Sequence, residues 1–146
     1  MEARMNMAEI QPEAYKTLFA LEKSLQNISL NAIEKELIKI RASQINGCAF
    51  CLNMHTKDAR KIGETEQRIY LLNAWKETNL FNERERTILA ITEEVTLISK
   101  AGLTDKTYEE ALKLFSKVEI GQIIMCIVAI NAWNRIAIAT HLQPED

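Results

Sequence analysis

The chain has 146 residues, with 18 Lys+Arg against 20 Asp+Glu for a formal net charge of −2, and is 47% hydrophobic and 26% charged. That length suits one domain over 1–146, and the near-neutral charge argues against nucleic acid or an anionic membrane as a partner. Only 2 Pro and 4 Gly occur, with Pro12 and Pro144 near the ends, so the turn punctuation of an all-β chain is missing and the chain reads as all-α.

Helical signals recur along the whole sequence. A first helix is expected over about Pro12–Gln26, with Tyr15, Leu18, Phe19 and Leu25 able to share a face. Ser29 is the expected cap of a second helix carrying Ile33, Leu37 and Ile40, with Glu36 on its flank and Asn46-Gly47 closing it. A third starts near Cys48 and ends at Gly63, and Thr65 caps a fourth through Ile69, Leu72 and Trp75. Asn82-Glu83-Arg84-Glu85 has the form of a capping box, opening a long helix that ends before Gly102. Thr104 caps a shorter helix with Tyr108, Leu112 and Phe115, and the last helix covers about Val118–Leu142. The expectation is a bundle of about six to seven helices, with no linker, low-complexity tract or repeat dividing it.

The last helix is apolar on most of its circumference and must be enclosed on most sides. A domain of this size has few helices to enclose it, so a buried subunit interface is the simpler solution and a central core helix of a monomer the alternative. Its stretch Ile120–Thr140 resembles a membrane span in hydropathy but holds Gln122, Asn131, Asn134 and Arg135, and is read as buried in protein. The N-terminal residues lack the apolar run of a signal peptide, and three cysteines are too few for a disulfide framework, so a cytoplasmic location is expected.

Residues 48–55 read Cys48-Ala49-Phe50-Cys51-Leu52-Asn53-Met54-His55. At helical spacing Cys51 and His55 share a face with Cys48, and the two cysteines are near enough to bond reversibly. Cys48 follows Asn46-Gly47 and falls in the first turn, where free N–H groups favour a thiolate; Cys51 lies deeper and depends more on His55. Spacing does not say which thiol is the stronger nucleophile. Glu36, on the preceding helix, reaches His55 if the two helices form a hairpin. Redox chemistry, zinc held by Cys48, Cys51 and His55 with Glu36 as fourth ligand, and inert packing all stay open at this point. Cys126 reads as core and His141 as a helix-end residue. Lys39 and Arg41 read as solvated or ion-paired, and Trp133, Asn134 and Arg135 as packing and subunit contacts.

Residues Arg41 through Cys51, continuing through His55-Thr56-Lys57-Asp58-Ala59-Arg60, resemble the core of the AhpD-like alkylhydroperoxidases of the carboxymuconolactone decarboxylase superfamily. Gly63–Arg68, Leu72–Trp75, Glu83–Arg86 and Asn131–Arg135 fit the same pattern, so the likeness spans roughly residues 12–142. The resemblance implies an all-helical homo-oligomer, a trimer or a hexamer, that reduces hydroperoxides in antioxidant defence with a dithiol cycling to a disulfide. It places the family's acid on Glu36, its cysteines on Cys48 and Cys51, and its histidine on His55. By resemblance Cys51 is the peroxidatic thiol activated through Glu36 and His55, while Cys48, the more accessible, resolves the sulfenic acid and meets the reductant. Phe50 departs from the His or Tyr often found there, removing one group from the proton network. The decarboxylase branch lacks the cysteine pair, which disfavours its lactone chemistry here.

The cycle calls for no bound cofactor and no metal, and its electron donor is an external dithiol of lipoyl type, a thioredoxin-like protein or a peroxiredoxin partner. A redox-sensing or interaction module, oxidised without efficient turnover, is the competing expectation.

Overall fold

The computed structural model describes residues 1–144, and among them it holds nine α-helices, one 3₁₀ segment and no strand. In chain order these are α1 (Met7–Ile10), α2 (Pro12–Ser24), α3 (Ala32–Asn46), α4 (Ala49–Lys61), α5 (Glu66–Leu71), the 3₁₀ segment Leu72–Glu77, α6 (Glu83–Thr96), α7 (Ile98–Ala101), α8 (Asp105–Leu112) and α9 (Lys117–Thr140). The all-α expectation stands; the count of six to seven does not. Met7–Ile10 forms an extra short helix capped by Asn6, and the long helix expected up to Gly102 breaks at Leu97 (φ −93°, ψ 41°) into α6 and α7. The break lets the chain reverse so that Glu94 on α6 accepts the Thr104 amide at 2.8 Å and the Thr107 hydroxyl at 2.6 Å, tying the start of α8 back to α6.

Most helix starts follow from local side-chain chemistry. Asn82 with Glu85, and Ser116 with Glu119, form reciprocal capping boxes that satisfy two otherwise unpaired amides each. Thr65 and Thr104 cap α5 and α8. The second helix is a correction: its cap is Asn31, not Ser29, because Asn31 has Glu34 three residues on to complete a box, whereas Ser29 has Ala32 there. The helix expected through Trp75 also changes character, since Ala74 leaves helical geometry (φ −113°, ψ 25°). Trp75 is pinned there by its indole N–H to Glu93 Oε1 at 2.8 Å.

The centre of the fold is α3, which packs on α4, α6 and α9. It feeds two apolar clusters: Ile38 and Ala42 meet Ile88 and Ile91 of α6 and Ile123, Ile127 and Ile130 of α9. Leu37 and Ile40 meet Ala59, Leu72, Trp75, Phe81 and Leu89 on the other side. Arg41 pairs with Glu93 at 2.8 Å and so serves this packing rather than the cysteine pair. By length and composition α9 is apolar enough to cross a membrane, but half of that stretch is buried inside the protomer. The enclosure is one-sided: Val118, Met125 and Val128 remain exposed on its outer face.

Candidate active site

The turn between α3 and α4 builds the site. Gly47 takes the left-handed conformation (φ 71°, ψ 36°), which a side chain would strain, and the amides of Gly47 and Cys48 both end on the Ser43 carbonyl. Cys48 then stands at the N-cap of α4 rather than within its first turn, and its Sγ accepts the Cys51 amide at 3.4 Å. The sulfurs of Cys48 and Cys51 are paired as a disulfide with a Cα–Cα distance of 5.4 Å.

His55 sits one turn beyond Cys51 and is buried against α3. Its Nδ1 lies 2.9 Å from Glu36 Oε2, while Lys39 Nζ donates to Glu36 Oε1 at 2.9 Å. Both carboxylate oxygens of Glu36 are therefore engaged, and a neutral imidazole donating from Nδ1 keeps Nε2 as its free acceptor. Burial by itself would raise the Glu36 carboxyl, but the His55 hydrogen bond and the Lys39 charge more than offset it and hold the group below its usual range. Its ionised form is thus favoured by folding. That contribution is complete above the unfolded value of about 4.3 and is lost as the pH falls through the lowered folded value. Glu36→Gln is accordingly expected to be less sensitive to acid than the wild type below about pH 4, as read by denaturant unfolding across pH; parallel acid limbs would contradict the pairing.

Two cavities meet at the cysteine pair. One of about 370 Å³ is lined by Cys51, His55 and Met54 of α4, Tyr15 and Phe19 of α2, and Trp133 of α9. Its aromatic wall is a three-ring cluster with centroids 5.2 to 5.4 Å apart, and Trp133 Nε1 donates to Glu22 Oε1 at 3.1 Å. The other, of about 310 Å³, is reached by Cys48 and walled by Met1, Ile138, His141 and Leu142. Phe50 borders both and forms part of an apolar partition between them.

The expected difference in exposure between the cysteines is corrected: Cys48 is 1% exposed and Cys51 2%. Ala137, near the end of α9, shares one apolar cluster with both cysteines, so the two sulfurs differ in the cavity they face, not in solvent contact. Cys126 is buried and burial pushes its thiol up to about 11, which suits a core residue. His141 caps α9 in a left-handed conformation (φ 57°). Among the described residues no group of three or more His, Cys, Asp or Glu is arranged to hold a metal ion. The cavity wall from α2 and α9 was not foreseen, whereas the Lys39 contact on Glu36 fits its reading as an ion-paired residue. Lys39, three residues after Glu36 on one helix, carried a local signal; Tyr15, Phe19 and Trp133 carried none.

The carboxymuconolactone decarboxylase family model matches residues 12–94. The chain is 44% identical over 139 residues to the uncharacterized protein YdfG of Bacillus subtilis, covering 95% of each. It is 42% identical to a protein of unknown function from Agrobacterium tumefaciens, provisionally named an antioxidant defence protein AhpD, with a TM-score of 0.95 and 99% of each chain covered. The debrominase Bmp8 shares the fold at 20% identity, with a TM-score of 0.82 over 94% of this chain and 74% of that one.

Proposed function

The chain belongs to the carboxymuconolactone decarboxylase family, in its AhpD-like branch, and on that premise we propose that it is a thiol-dependent hydroperoxide reductase acting in antioxidant defence. The observation that carries this reading is the Cys48–Cys51 pair, with Cys51 lining an apolar cavity together with a histidine held by Glu36.

In the dithiol form, His55 Nε2 takes the proton of the Cys51 thiol, and Glu36 steadies the imidazolium that results. The Cys51 thiolate attacks the terminal oxygen of the hydroperoxide. The O–O bond breaks, the alkoxide takes the proton from His55 and leaves as the alcohol, and Cys51 remains as a sulfenic acid. Cys48 attacks that sulfur, releasing water and closing the disulfide before overoxidation competes. An external dithiol then restores both thiols by exchange, ending as a disulfide itself. The aromatic wall supports an organic hydroperoxide as substrate, since such a cavity gains from burying hydrocarbon. The second cavity supports access of the reductant to Cys48. Two further expectations belong to the same proposal: a homo-oligomer whose contact includes the exposed face of α9, and a cytoplasmic location.

Steady-state consumption of an organic hydroperoxide with dihydrolipoyl, thioredoxin or peroxiredoxin donor systems tests the reading. Many turnovers per protein with at least one donor are expected. Oxidation of one dithiol per chain followed by arrest with every donor would replace the enzyme by a redox-sensing module.

A further inference from the structure

The turn that presents Cys48 is held from behind by α9. Asn134 is fully buried, and its side chain bridges two residues in the last turn of α3. Its Nδ2 donates to Ser43 Oγ at 3.0 Å, and its Oδ1 accepts from Asn46 Nδ2 at 2.9 Å. Ser43 supplies the carbonyl on which the amides of Gly47 and Cys48 end, so both anchors of Asn134 bear on the same turn. Asn46 also donates to Asn131 Oδ1 at 3.0 Å, and that oxygen receives Arg135 Nη1 at 2.9 Å. An apolar side chain would fill the Asn134 site without the desolvation cost of an amide. What the amide adds is a defined geometry for one turn.

That turn sets the position of the Cys48 sulfur. Cys48 caps α4 and accepts the Cys51 amide, and in the dithiol form the same amide and the helix N-terminus favour a thiolate at Cys48. We propose that Asn134, acting through Ser43 and Asn46, is a positioning residue that keeps the Asn46–Gly47–Cys48 turn in the geometry where Cys48 reacts as a thiolate on the N-terminal amides of α4. Its purpose rests on the peroxidase reading above; its test does not. In the resolving step the Cys48 thiolate attacks the sulfur of the Cys51 sulfenic acid, the S–S bond forms, the S–O bond breaks, and the hydroxide takes up a proton and leaves as water. A turn free to swing takes Cys48 off the amides, which makes its thiol less acidic and resolution slower.

In a Cys51→Ser background, the pH profile of Cys48 alkylation by iodoacetamide, followed on the Cys48 peptide by mass spectrometry, reads that acidity directly. Adding Asn134→Ala is expected to raise the midpoint by about one pH unit, or about tenfold less thiolate near neutrality. Asn46→Ala is expected to shift it in the same direction and carries the test if Asn134→Ala does not fold. Ile123→Ala, a core truncation on the same helix whose side chain makes no hydrogen bond to the turn, is expected to lower stability and leave the midpoint in place. Midpoints that coincide with the background, or an equal shift in Ile123→Ala, overturn the proposal. Because alkylation uses no peroxide, a shifted midpoint in a protein without peroxide turnover keeps the positioning role and removes only the peroxidase reading.

Discussion

Replacing Cys51 by serine is expected to abolish peroxide turnover, by at least about a thousandfold, because the hydroxyl left in its place is neither ionised nor comparably nucleophilic near neutral pH. Cys48→Ser is expected to stop the same cycle at a later point. The first peroxide is still consumed, but the Cys51 sulfenic acid has no neighbour to condense with and accumulates or proceeds to sulfinic acid under excess oxidant. Mass spectrometry after one equivalent of peroxide separates the two: one added oxygen on Cys51 in Cys48→Ser, and unmodified Cys48 in Cys51→Ser. The reverse pattern would exchange the roles of the two sulfurs. Wild-type turnover in the double serine variant would remove the dithiol mechanism altogether. Near-equal burial of the sulfurs makes this assignment depend on environment: Cys51 shares its cavity with His55 and the aromatic wall, while Cys48 opens on the other cavity.

His55→Ala is expected to lower kcat/KM by about 10²- to 10⁴-fold, the usual contribution of a positioned acid–base group. Glu36→Gln is expected to lose less, since the amide can still accept from Nδ1 but cannot stabilise the imidazolium by charge. The two residues act as one unit, joined at 2.9 Å, so the double variant is expected to be no slower than His55→Ala. A double variant slower by the product of the single losses would mean that Glu36 acts on the cysteines by a separate route. Lys39 bears on this comparison. It holds the second oxygen of Glu36, so in Glu36→Gln the ammonium loses its anion, and a shifted pH profile rather than a uniform loss is the expected signature.

Much of the fold was legible because helix ends are decided over three or four residues. Asn82 with Glu85, Thr65, Thr104 and the left-handed Gly47 each satisfy or redirect the backbone with groups adjacent in sequence, and each stands where spacing put it. Ser29 failed for an equally local reason, since Asn31 two residues on forms a reciprocal capping box with Glu34 and takes the helix start. The break at Leu97 and the kink at Ala74 were not legible. They coincide with contacts 10 and 18 residues apart, Glu94 with Thr104 and Trp75 with Glu93, which helical periodicity and capping signals do not encode.

The sequence by itself determined that Cys51 and His55 lie one turn apart on a helix that begins after a glycine turn, with Cys48 at its start, because helical periodicity and capping are properties of neighbouring residues. Only the tertiary structure decided the rest. Packing of α3 on α4 brings Glu36 to His55 Nδ1; α2 and α9 together close an aromatic wall over Cys51; and Cys48 is buried as thoroughly as its partner, in one apolar cluster with Ala137 of α9. These three outcomes join residues 19 to 118 positions apart, whose meeting depends on how whole helices settle against one another rather than on any local preference of the backbone.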